Sequence, residues 1–259
     1  MSIRIPNALV DAVKQRQAVL FAGAGISAKS LGFAGGYVRD AIGNEIQKDY
    51  PEYNVASRSL EEACDEYVAL NDRITLVNHL AALIPQNAAP LQSHIAAVKA
   101  FRFIVTTNWD LLFEAAYSQI GQGRQVLATE ADAPNFNYDQ HNLLKIHGSA
   151  DRPLTLITTS EDYENYPDTH HQLLDRVADL LWNNTVLYVG YGLRDEHVRR
   201  LLAHIRRQRG EFARRAYAVM GENFNDRVRT RLLDKRNIEV LPYDADDFLP
   251  ELAGRAGIP

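Results

Sequence analysis

The sequence predicts an α/β fold, a doubly wound and mainly parallel sheet carrying a helical insertion. Three observations predict it. Short apolar runs recur along the chain, each stopped by glycine or a polar residue. Amphipathic helical patterns separate most of them. One long stretch, residues 29–100, breaks the alternation and holds helical patterns alone. Short, continuously apolar runs suit strands buried on both faces, and parallel neighbours need a crossover that a helix supplies.

The elements follow in order. MSIRIPNALVDAVKQRQ reads as an amphipathic helix, and AVLFAG (Ala18 to Gly23) as the first strand. The insertion holds helical patterns in YVRDAIGNEIQKDY, SLEEACDEYVALN, DRITLVNHLAALI and PLQSHIAAVKAF. Its expected place is over the carboxyl edge of the sheet, where ligands bind in such folds. RFIVTTN from Arg102 is the second strand, followed by a helix in WDLLFEAAYSQIG. NLLKIHG from Asn142 is another strand, and LTLITTS from Leu154 a weaker candidate. A helix in HHQLLDRVADLLWNN leads to the strand TVLYVGYG from Thr185, and one in RDEHVRRLLAHIRRQR to AYAVMG from Ala216. DRVRTRLLDKR is a further helix, IEVLPY from Ile238 the last strand, and DADDFLPELAGRAGIP a closing helix with a frayed tail. No linker divides the chain, so residues 1–259 are expected to form one domain, with 29–100 inserted in it.

Composition narrows the function. The net charge is −5 over 259 residues, which recommends neither nucleic acid nor an anionic membrane. Cys64 is the only cysteine, so an intrachain disulfide and a four-cysteine zinc site are both excluded. No apolar run is long enough to span a bilayer. The amino terminus lacks the apolar core of a secretory signal, so a cytoplasmic location is the default expectation.

Polar residues gather where strands end. FAGAGISAKS follows the first strand, and Gly23 and Gly25 permit a tight turn and close approach to a ligand. Free amides there, with Ala24 between the glycines, suit a pyrophosphate, and Ser27 can cap a helix or donate to a phosphate oxygen. The turn departs from the dehydrogenase pattern G-x-G-x-x-G, because Ala28 stands at the third glycine. VTTNWD presents Thr107, Asn108 and Asp110; LLKIHGS presents His147; VGYGLRD presents Gly190, Tyr191, Gly192 and Asp195. Each has a bland alternative. Asn108 and Asp110 can cap the helix near Trp109, His147 can be a structural hydrogen-bonding residue, and VGYG can be a plain turn. Four polar strand ends on one edge of one sheet favour a shared ligand crevice over four unrelated causes.

GAGIS, TTNWD, KIHGS and VGYGLRDE, in this order, resemble the NAD-binding core of the sirtuins, and most of all a zinc-free branch found in bacterial anti-phage defence proteins. The resemblance runs from about Ala18 to Leu249. It implies a Rossmann-like sheet of the sirtuin type without a zinc module, with NAD as substrate and no metal. The segment LGFAGGYVRD departs from the deacylase pattern, and Arg39 alone matches an arginine there. Without the zinc module the acyl-lysine peptide loses its usual docking place. Cleavage of the nicotinamide–ribose bond of NAD, by hydrolysis or by cyclisation to a related ADP-ribose product, is what remains.

In that reading Asn108 contacts the nicotinamide ribose and positions the nucleophile. His147 accepts a proton, as an imidazole can near neutral pH, and Asp110 orients one of these groups or contacts the carboxamide. The GAGIS backbone holds the pyrophosphate. Gly190, Tyr191, Gly192 and Asp195 hold the adenosine half, and topology puts Tyr243 beside the adenine. Unrestrained NAD hydrolysis would kill a host. The resemblance therefore implies a homo-oligomer, or assembly with a regulatory sensor, ATPase or Argonaute-type partner. The arginine-rich stretch from Arg199, with Val198, Leu201, Leu202 and Ile205 as its apolar stripe, is the candidate surface, with a solvated helix face as its bland alternative. Two rival functions stay open: a non-catalytic NAD or ADP-ribose sensor, and an NAD-dependent deacylase.

Overall fold

The computed structural model describes residues 3–33, 36–191, 214–221, 224 and 226–259. Seven strands form one sheet in the order β3-β4-β2-β1-β5-β6-β7. They are β1 (Ala18–Ala22), β2 (Phe103–Thr106), β3 (Gln125–Leu127), β4 (Asn142–Lys145), β5 (Thr185–Val189), β6 (Ala216–Val219) and β7 (Ile238–Leu241). Every pairing is parallel. The chain winds outward from β1 in one direction and then returns to place β5 on its other side. That reversal is the switch point at which doubly wound sheets open a crevice.

Among the described residues the helices are α1 (Asn7–Lys14), α2 (Ala28–Leu31), α3 (Gly36–Gln47), α4 (Leu60–Leu70), α5 (Arg73–Leu83), α6 (Gln92–Ala100), α7 (Leu112–Gln119), α8 (Ser160–Thr169), α9 (His171–Asn183), α10 (Arg227–Asp234) and α11 (Ala245–Arg255). Side chains of α1, α6, α7 and α11 pack with Leu20, Ile104, Leu143 and Leu187 on one face of the sheet. Side chains of α8, α9 and α10 pack with Phe21, Val105, Leu144 and Tyr188 on the other. Alternate residues of each strand thus feed opposite layers, as the pleat requires. Both faces being covered explains why β1 and β5 are buried at every position.

Helices α3, α4 and α5 of the 29–100 stretch make a third core, whereas α6 packs with the sheet. Ile42, Cys64, Leu76 and Leu80 pack there with Ala150 and Leu156, and Trp109 lies against them. Ala150 and Trp109 belong to the turns after β4 and β2, so these helices contact the carboxyl edge of the sheet. Cys64 is fully buried, and burial pushes its thiol up to about 12, as expected of a packing residue. α4 opens on a capping box in which Ser59 and Glu62 exchange hydrogen bonds with each other's amides.

Three elements differ from the sequence reading. LTLITTS makes no strand. A 3₁₀ turn covers Pro153–Thr155, and the Thr158 and Thr159 amides donate to Asp162 instead of to a neighbouring strand. β3 and α8 were not expected. β3 has three residues and borrows its order from β4. α8 contains Pro167 and buries only Tyr166, so its periodicity is weak, although Thr159 and Asp162 form a capping box at its start. The helical pattern after Asp195 and the apolar stripe Val198–Ile205 lie outside the described residues.

Candidate functional site

The turns after β1 and β5 cross in direct backbone contact. The Gly23 amide donates to the Val189 carbonyl at 3.0 Å, and the Gly25 amide to the Gly190 carbonyl at 2.9 Å. Gly190 has a φ of +60°, and a Cβ there would stand 2.2 Å from the Ile26 nitrogen. A Cβ on Gly23 would meet the Tyr191 Cα at 2.7 Å. These glycines therefore allow a close approach between two protein segments. The expectation of free amides is corrected, since those of Gly23, Gly25, Ile26 and Ser27 are all occupied within the protein. Ala24 and Gly25 remain exposed at the rim.

Ser27 is fully buried and makes no side-chain cap to α2. Its hydroxyl accepts from the Asn108 side-chain amide at 2.9 Å, and the same amide donates to the Gly23 carbonyl at 3.3 Å. Asn108 is thus anchored to the GAGIS turn and does not cap α7. Its backbone amide donates to Thr106 Oγ1 at 3.0 Å, and the half-buried Thr107 donates its amide to the Ala22 carbonyl at 3.3 Å. With the amide nitrogen held, the carboxamide Oδ1 points elsewhere. It is buried and has no hydrogen-bond partner among the described residues, as is true of the indole N–H of Trp109. One acceptor and one donor left open at the end of β2 fit a polar ligand with hydroxyl and carbonyl groups, because such atoms otherwise cost about 1–3 kcal/mol each.

Asp110 takes the bland role offered for it, at least with one oxygen. Its Oδ1 accepts from the Leu112 amide at 3.0 Å where α7 begins. His147 follows the end of β4 by two residues, as Asn108 follows the end of β2. Thr106 pairs with Lys145 in register, and each candidate lies two residues further on. The His147 ring is buried and meets the Tyr163 ring of α8 edge-on at 5.5 Å. Its carbonyl accepts from the Ile157 amide at 3.1 Å. Gly148 then turns the chain with a φ of +83°, where a Cβ would stand 2.2 Å from the Thr155 carbonyl oxygen.

Sequence reasoning missed Lys145, Glu114 and Ser149. Lys145 is 1% exposed, and its ammonium donates to the Asp110 carbonyl at 2.6 Å, Ser149 Oγ at 2.7 Å and Glu114 Oε1 at 2.9 Å. The signal was present, since a lysine closing the buried run NLLK must find a counter-charge inside the protein.

Other candidates lie apart. The ring of Tyr191 packs against Phe21 and Tyr188. Tyr243 stacks on Phe248, and its hydroxyl accepts from the Arg4 amide at 3.0 Å. It borders a cleft of about 810 Å³ lined also by Ile3, Asp246, Asp247 and Glu251, and those carboxylates would repel a pyrophosphate. Gly192 and Asp195 lie outside the described residues. Arg39 pairs with the neighbouring Asp40 at 2.6 Å. Among the described residues no group of three or more His, Cys, Asp or Glu could hold a metal ion. Nor is any helix among them long and apolar enough to cross a membrane.

The chain is 26% identical over 121 residues to defense-associated sirtuin 2 of Bacillus subtilis, a match covering 46% of this chain and 12% of that protein. It is 24% identical over 240 residues to the NAD(+) hydrolase ThsA of Cytobacillus dafuensis, covering 91% of this chain and 47% of the relative. The chain therefore spans less than half the length of either relative. Among solved structures, a Sir2 homolog in complex with NAD superposes with a TM-score of 0.60 at 15% identity, covering 99% of this chain and 95% of the other. That likeness extends the sirtuin type of fold to all seven strands. The model of the SIR2-like domain matches residues 102–241, which include the strand ends of β2, β4 and β5, and the chain belongs to that family.

Proposed function

We propose that this chain binds NAD and hydrolyses its nicotinamide–ribose bond, releasing nicotinamide and ADP-ribose. The observation that carries the reading is Asn108. It is a buried amide anchored to Ser27 and the Gly23 carbonyl, with an open Oδ1, and it follows Thr106 by two residues as His147 follows Lys145, the residue paired with Thr106. A purely structural asparagine would be expected to satisfy both ends of its amide.

Water adds at the anomeric carbon as the bond to nicotinamide breaks, and one proton leaves. Asn108 Oδ1 holds the attacking water or a hydroxyl of the nicotinamide ribose. His147 takes the proton, as a neutral imidazole does well near pH 7. Asp110, with one oxygen at α7, offers its second to the carboxamide. The exposed backbone of Ala24 and Gly25, with Thr107 beside it, borders the diphosphate, and Gly190, Tyr191, Gly192 and Asp195 border the adenosine. Tyr243 borders the adenine, an uncharged base that the carboxylates lining the neighbouring cleft do not repel. The names of the ThsA relatives support NAD hydrolysis, and that of the defense-associated sirtuin supports a role in defence. We further propose that the chain acts as a single domain with residues 29–100 as an insertion, in the cytoplasm, and under control by self-assembly or a regulatory partner.

The test follows nicotinamide release from NAD across protein concentration, with Asn108→Ala and His147→Ala in parallel. Turnover by the parent, steeper than linear in protein, with both variants about 100-fold slower, is the expected result. Variants as active as the parent would remove both residues from the chemistry. NAD binding without turnover at any concentration would instead favour a sensor.

A further inference from the structure

We infer that Lys145 is a positioning residue. Its buried ammonium ties the turn that carries Asn108 to the turn that carries His147, and so sets the distance between them. The inference rests on the hydrolytic reading above.

Lysine is seldom fully buried, because its ammonium gives up hydration that must be replaced. Here the replacement comes from three segments. The Asp110 carbonyl at 2.6 Å and the Trp109 carbonyl at 3.3 Å immediately follow Asn108. Ser149 Oγ at 2.7 Å lies two residues past His147. Glu114 of α7, at 2.9 Å, supplies the counter-charge. Three N–H groups thus serve four acceptors, and none of the contacts is to solvent-exposed bulk.

The sheet alone does not fix this distance. The ladder between β2 and β4 ends with the Ile146 amide on the Thr106 carbonyl. Beyond it the two turns share one backbone bond, from the Ala150 amide to the Trp109 carbonyl at 2.9 Å. The ammonium closes the remaining gap by holding main-chain carbonyls, which an apolar side chain of equal volume cannot do. Stability alone gives little reason to keep such a pair, since buried ion pairs are often replaceable by apolar residues without loss. Glu114 shows the strain of the arrangement. Burial pushes its carboxyl up, against the pull of the lysine, and its second oxygen has no partner among the described residues.

The experiment separates position from stability. Lys145→Met leaves Glu114 buried without a counter-ion, so the melting temperature should fall. Adding Glu114→Gln removes that charge and should restore most of the loss. If Lys145 positions the pair, kcat for nicotinamide release stays about 100-fold low in the double variant, while KM for NAD changes by less than about threefold. A double variant with restored melting temperature and parental kcat overturns the inference and leaves the hydrolytic reading standing. A parent that releases no nicotinamide at any protein concentration overturns both. Should the Lys145 variants not fold, Ser149→Ala decides. It keeps the ion pair, and a kcat about fivefold lower at unchanged KM supports the inference, whereas parental kcat overturns it.

Discussion

The two halves of the crevice are built by opposite means. Between β1 and β5 the turns touch through glycines, and the fit depends on side chains being absent. Between β2 and β4 the turns are tied together and aligned mainly by side chains, with Lys145, Glu114 and Ser149 at the centre. The first half is a backbone contact with no freedom, because a Cβ at Gly190 would fall 2.2 Å from a neighbouring nitrogen. The second half is a polar network whose members act through charge and hydrogen bonding. Rigidity belongs to the wall of the site, and adjustable chemistry to the strand ends that carry Asn108 and His147.

Substitutions can break or sharpen that contrast. The largest expected effect is on the glycine side. Gly190→Ala meets backbone and must also adopt a positive φ, so thermal unfolding should show a loss above about 3 kcal/mol. A soluble, stable Gly190→Ala protein would mean that the crossing can open. Next come Asn108→Ala and His147→Ala, where nicotinamide release should fall about 100-fold while circular dichroism stays that of the parent. Unfolded variants would show instead that both halves are equally rigid. A smaller effect belongs to Ser27→Ala. It removes one acceptor from the Asn108 amide, worth about 1 kcal/mol, and should lower kcat/KM about fivefold. No change there would mean that the Gly23 carbonyl alone orients Asn108.

The smallest effect is a pH dependence at the far edge of the polar half. Asp162 is half-buried, which raises its pKa, yet hydrogen bonds from Thr158 and Thr159 and the Arg73 guanidinium outweigh this and hold it below the ordinary carboxylate value. A depressed carboxyl stabilises the fold above its unfolded value, about 4, and that contribution disappears as pH falls through the folded value. Asp162→Asn should therefore melt below the parent at pH 7, with the gap closing below about pH 4. A gap that stays constant down to acid pH would assign the difference to packing.

Much of this was legible in the residues. The apolar runs at Ala18, Arg102, Asn142, Thr185, Ala216 and Ile238 all contain strands, because a strand buried on both faces has no polar alternation to hide it. The capping boxes at Ser59 and Thr159 are local patterns, yet the sequence reading names neither, and the run that holds Thr159 reads as a strand. β3 was not readable, since three residues at a sheet edge carry too little pattern and pair only because β4 is there.

The sequence by itself determined the strand ends, and with them the set Gly23, Asn108, His147 and Gly190 on one edge of a parallel sheet. Local periodicity and the glycine and polar stops suffice for that, because each is a property of neighbours in the chain. Tertiary structure alone decided what those residues do to one another. The Ser27 hydroxyl and Asn108 amide meet across 81 positions, and the Lys145 ammonium and Asp110 carbonyl across 35. Gly23 and Gly25 clear room for a protein turn, a fact that depends on β5 standing beside β1. Partners so distant in the chain leave no spacing to read, and only the packed sheet brings them within hydrogen-bond reach.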